Sequence, residues 1–93
     1  MDHRQRRFTV PEHVLFQEME GETVLLNLED GHYYGLDPLG TQVWRMLKEG
    51  KDTGECLDWI LDHYEVSRKR AENDLRQLLA QMEEKGLLIP AGE

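Results

Sequence analysis

The spacing of apolar residues changes once along this chain, near Pro38: strand-like runs precede it and helical spacing follows. His13-Val14-Leu15-Phe16-Gln17-Glu18-Met19, entered after Pro11 and closed by Glu20-Gly21-Glu22, predicts a first strand. Thr23-Val24-Leu25-Leu26-Asn27-Leu28 predicts a second, and His32-Tyr33-Tyr34-Gly35-Leu36 a third, with Glu29-Asp30-Gly31 as a glycine-containing hairpin link. A two-residue Asp30-Gly31 turn would set Leu26 opposite Gly35 and Asn27 opposite Tyr34, mixing polar and apolar partners. A three-residue loop with Gly31 left-handed pairs Leu28 with His32, Leu26 with Tyr34 and Val24 with Leu36, which gathers the apolar set on one face. This second register is the expected one.

After Pro38 the pattern predicts three helices. Asp37-Pro38 is a strong start, an acidic cap followed by the residue best tolerated at the first helical position, and Leu39, Val43, Trp44 and Leu47 then share a side up to Gly50. Asp52 and Glu55 form a capping-box pattern ahead of Cys56, Leu57, Trp59, Ile60 and Tyr64. Ser67 caps the longest helix, whose apolar positions are Ala71, Leu75, Leu78, Leu79 and Met82; Lys85-Gly86 ends it, with Leu87 folding back on the last turn. The expectation is an α+β domain over residues 13–89, in which a three-stranded antiparallel sheet of order 1-2-3 precedes three helices, with residues 1–12 as a flexible basic arm.

Charge narrows the function classes. Residues 1–7 hold Arg4, Arg6 and Arg7 against Asp2 alone; without them the 11 basic and 19 acidic side chains become 8 and 18, so the formal charge moves from -8 to -10. Phosphate backbones need clustered cations, so an acidic body argues against nucleic acid and against a winged-helix transcription factor, whose recognition helix is basic. Arg68-Lys69-Arg70 breaks the pattern, placing cations where the helix dipole is already positive. It is read either as local neutralisation of an acidic protein or as a contact for an acidic peptide or partner. No run of about 18 apolar residues predicts a membrane span, and the first residues lead into no signal region, so the chain is read as soluble and cytoplasmic. The single Cys56 is read as a small buried hydrophobe in a reducing compartment.

Nothing in the sequence assembles an active site. His3, His13, His32 and His63 show no metal-ligand spacing, Cys56 has no neighbouring partner, and there is no glycine-rich phosphate loop. No enzyme, metal or cofactor is expected. What remains is the third strand, which order 1-2-3 leaves at an edge. Such edges usually carry lysine, proline or a cover. Residues 32–36 have instead two tyrosines and a glycine, the composition of an edge kept open for an incoming strand. Cover by the protein's own tail or by a second copy remains the alternative.

The string Val24 to Leu47, with its Asp30-Gly31-His32-Tyr33-Tyr34-Gly35-Leu36-Asp37-Pro38-Leu39 centre, resembles the PqqD family, the recognition elements of ribosomally made, post-translationally modified peptides. The likeness continues through Trp59-Ile60-Leu61-Asp62-His63-Tyr64 and Asp74-Leu75 to Glu84-Lys85-Gly86-Leu87-Leu88. It is strongest to stand-alone proteins of lasso-peptide pathways. The resemblance implies a winged-helix-like domain that takes a precursor's leader as an added antiparallel strand on His32, Tyr33, Tyr34, Gly35 and Leu36. Asp74, Leu75, Leu78, Leu79 and Met82 would form the facing wall, with Arg68, Lys69 and Arg70 as possible charge contacts. The implied partner is a transglutaminase-like cysteine leader peptidase, and the leader is expected to carry tyrosine, proline and leucine anchors. Service to a radical SAM enzyme or a cyclodehydratase is the alternative within the family.

Overall fold

Each helix starts where its cap chemistry puts it. In the computed structural model, which describes residues 6–91, α1 (Pro38–Lys48) begins at Asp37, whose carboxylate accepts the Gly40 N–H at 2.7 Å. α2 (Thr53–His63) carries the complete Asp52/Glu55 capping box, and α3 (Arg68–Glu84) begins at Ser67, whose hydroxyl accepts the Arg70 N–H. At the end of α3, Gly86 takes φ +73°, and the Gly86 and Leu87 N–H groups return to the Glu83 and Met82 carbonyls. That paired closure turns Leu87 inward, where it is buried.

Strands β2 (Val14–Met19), β3 (Glu22–Asn27) and β4 (His32–Leu36) form an antiparallel sheet in the order β2-β3-β4. The observed register corrects the expected one. Asn27 lies opposite His32, Leu25 opposite Tyr34 and Thr23 opposite Leu36, so the loop holds four residues, Leu28 to Gly31, with Gly31 at φ +74°. This slip of one residue turns Val24 and Leu26 to the outer face and puts Thr23, Leu25 and Asn27 on the core face. The core accepts Asn27 because its amide is fully used: Nδ2 donates to the Lys85 carbonyl at 2.8 Å and Oδ1 accepts the Glu29 N–H at 2.9 Å. Leu25, Val43, Trp44, Leu47, Cys56, Leu75 and Met82 make up much of the core between the sheet and the three helices.

The domain also begins earlier than residue 13. β1 (Phe8–Thr9) pairs with β5 (Ile89–Pro90), and Phe8 is buried. Arg6 exchanges hydrogen bonds with Thr53 and approaches Glu83 at 3.5 Å, while Arg7 Nε donates to the Gly50 carbonyl. Two of the three arm arginines therefore serve the fold; Arg4 lies outside the described residues. Among the described residues no helix is long and apolar enough to cross a membrane.

Candidate functional site

The backbone direction of β4 follows from its neighbour. The Leu28 N–H donates to the His13 carbonyl on the β2 side, whereas the Asn27 carbonyl accepts the Gly31 N–H on the β4 side. Alternation along β3 then turns residues 23, 25 and 27 toward β4. Their partners Leu36, Tyr34 and His32 turn inward, and Tyr33 and Gly35 present their N–H and C=O groups to the free edge.

Beside that edge runs a groove of about 440 Å³, floored by β4 and walled by α3. Of the residues anticipated from the sequence, Tyr33, Tyr34, Gly35, Leu36, Leu78 and Met82 line it. The others fall elsewhere. Leu75 and Leu79 are buried in the core, His32 lies exposed at the hairpin end of β4, and Asp74 is an exposed ion-pair partner of Arg70. Gln81 and Lys85, not anticipated, complete the helical wall, and Asp37, Gly40 and Leu87 close the ends. The signal for the helical pair was spacing: positions 78, 81, 82 and 85 form one stripe of a 3.6-residue helix, turned slightly from the core stripe.

The groove is electrically asymmetric along its length. Near the hairpin, Lys85 Nζ stands 5.3 Å above the Tyr34 ring. The Tyr34 hydroxyl reaches away to donate to Asp30 Oδ2 at 2.9 Å, and the His32 N–H donates to Asp30 Oδ1 at 2.8 Å. The His32 amide, with a smaller share from Tyr34, holds the Asp30 carboxyl below the usual carboxylate range, and the same bond raises the Tyr34 phenol. At the other end Asp37 is engaged as the α1 cap.

The arginine-rich start of α3 stands apart. Arg68 approaches Glu72 at 3.6 Å and Arg70 approaches Asp74 at 3.3 Å, each one turn along the same helix. Lys69, Arg70 and Arg76 border a separate shallow depression with Ser67, Glu72 and Asn73. Cys56 is fully buried and unbridged, and burial pushes its thiol up to about 12. Among the described residues no group of three His, Cys, Asp or Glu side chains could hold a metal ion.

The family described as coenzyme PQQ synthesis protein D (PqqD) matches residues 22–88. A solved structure of TbiB1 in complex with the TbiA(beta) leader peptide is 36% identical, with a TM-score of 0.84 over 91% of this chain and 99% of that one. A lasso peptide synthetase B1 complexed with the leader peptide shares the fold at 24% identity, with a TM-score of 0.83 over 90% of this chain and 99% of that one. Among curated proteins none matches the chain.

Proposed function

Because the chain belongs to the PqqD family, we propose that it captures the leader of a lasso-peptide precursor as an antiparallel strand on β4 and delivers it to a separate leader peptidase. The observation that carries this reading is the groove itself. An edge strand whose outward groups, at Tyr33 and Gly35, face a slot walled by Leu78 and Met82 offers a ladder on one side and apolar anchorage on the other. The leader complex of the similar TbiB1 supports the choice of ligand.

The ladder would supply several hydrogen bonds at a net ~0.5–1.5 kcal/mol each, and two buried anchors ~1.5–3 kcal/mol apiece. Ordering the flexible leader subtracts several kcal/mol. The balance reaches submicromolar affinity without chemistry. The protein acts as an adaptor: pairing fixes the register of the leader, and a peptidase docked on the same complex meets its cleavage site at raised effective concentration. The proposed peptidase is a transglutaminase-like cysteine enzyme, and catalysis resides there.

The test is calorimetric titration with a synthetic copy of the cognate leader, beside analogues N-methylated at single backbone amides. Methylation at alternate positions should abolish binding and at the intervening positions should spare it. Equal tolerance at every position would remove strand addition. Processing by the peptidase should also require this chain in stoichiometric amount.

A further inference from the structure

Among the described residues Lys85 is the one cation lining the groove, and its backbone is held in place. The carbonyl of Lys85 accepts the Asn27 amide at 2.8 Å, and a Cβ at Gly86 would meet that amide at 3.1 Å, so the helix end is clasped against β3. The ammonium rests over the Tyr34 ring, a contact that orients a cation without neutralising it. The one acid lining the groove among the described residues, Asp37, lies beyond Leu36 at the far end and already caps α1. A carboxylate brought beside Tyr34 would thus meet the Lys85 ammonium, while the neighbouring Asp30 carboxylate is already engaged by the Tyr34 hydroxyl and the His32 N–H.

We infer that Lys85 is a specificity-determining residue which selects an acidic side chain on the bound peptide, two residues C-terminal to an apolar anchor. The inference rests on the proposed capture by strand addition and adds a position and a chemistry to it. In an antiparallel strand on β4, the peptide residue opposite Leu36 and the one opposite Tyr34 both face α3, because side chains directly opposite share a face. The first lies against Leu36, Leu78 and Gly40, an apolar setting. The second lies between Tyr34 and Lys85. The peptide runs opposite to β4, so the acid follows the anchor in its sequence. Met82 separates the two sites by one helical turn from Leu78, which keeps the apolar subsite distinct from the charged one.

The experiment pans a display library of short random peptides on the full chain, on Tyr33→Pro and on Lys85→Glu, with circular dichroism to establish that each variant is folded. Wild-type protein should enrich sequences with Asp or Glu two residues after an apolar residue, and replacing that acid by its amide should weaken an enriched peptide by about twofold to fivefold, an effect reduced by salt. Lys85→Glu should reverse the preference to Lys or Arg at the same position. Peptides enriched with no charge preference, or with a preference that Lys85→Glu leaves intact, would overturn the role of Lys85 while leaving capture standing. An acid preceding the anchor would overturn the antiparallel placement. Enrichment that survives Tyr33→Pro, or none at all on wild-type protein, would overturn capture on β4 and this inference with it.

Discussion

β2 and β4 are the two outer strands of one sheet, yet they are bordered differently. On β2 the outward backbone groups belong to Val14, Phe16 and Glu18. The Val14 N–H already donates to the Pro11 carbonyl, the Phe16 ring lies edge-on to Trp44 at 4.8 Å with Lys48 above it, and Glu18 bonds Arg45 at 2.7 Å. A strand added there would meet a margin charged by Lys48, Glu18 and Arg45. On β4 the equivalent groups face a slot backed by α3. What distinguishes the two edges is what stands beside them, since the ladder alone does not choose between the two.

Proline substitutions break that contrast most sharply, because proline lacks the donor and obstructs pairing on the side where the N–H would point. Tyr34→Pro should have the largest effect: it removes a ladder bond to Leu25 and a half-buried ring, so the thermal transition followed by circular dichroism should fall steeply or vanish. Tyr33→Pro should keep a cooperative transition and lose leader binding, since its N–H faces the groove edge. Normal binding by this variant would mean that β4 is not the receiving strand. Glu18→Pro, its counterpart on β2, should bind leader with unchanged affinity and lose only the ion pair to Arg45.

Smaller substitutions separate groove from core. Leu78 is half-buried and lines the slot, so Leu78→Ala should weaken leader binding by roughly tenfold, about 1.4 kcal/mol, with a minor change in melting. Met82 is also in the wall but is 2% exposed, so Met82→Ala should cost ~2–5 kcal/mol of stability as well as affinity. A Leu78→Ala variant whose melting and affinity collapse together would place that residue in the core. The smallest expected effect concerns Cys56. With its thiol raised from 9.0 to about 12 by burial, the folded state prefers the protonated form; this contribution is present below pH 9 and is lost as pH climbs through 12. A thiol reagent at neutral pH should react slowly with native protein and rapidly in denaturant.

Local chemistry made the helices and β4 readable from sequence, because a cap acts within four residues. Asp37, the Asp52/Glu55 pair, Ser67 and Gly86 each stand where their local patterns put them. The hairpin register was not readable, since it turns on Asn27, a polar residue that reads as outward. Its inward place depends on the Lys85 carbonyl, 58 residues away in sequence. Phe8 was missed for the same reason: only pairing with Ile89–Pro90 makes that segment a strand. Along α3 the apolar spacing is visible in the sequence but its phase is not, so the spacing does not separate Leu75 and Leu79 in the core from Leu78 in the groove and gives no sign of Gln81 and Lys85. The Arg68-Lys69-Arg70 run is in part explained by acids one turn on, Glu72 and Asp74.

The clasp between Asn27 and Lys85, reinforced by His13 Nε2 at 3.1 Å from the Gly86 carbonyl, bears on which shapes of peptide can enter. It ties the C-terminal end of α3 to β3, the strand on which β4 is paired. Strand addition on β4, as proposed, requires an extended chain, because a helix has already spent its backbone N–H and C=O groups internally. Under the proposed capture, a leader that is helical in free solution would have to unwind first, and its apparent dissociation constant would rise in inverse proportion to the fraction already extended. Selection among precursors would then act on conformation as well as on sequence: two leaders with identical anchors would be ranked by how much of the time each spends unfolded.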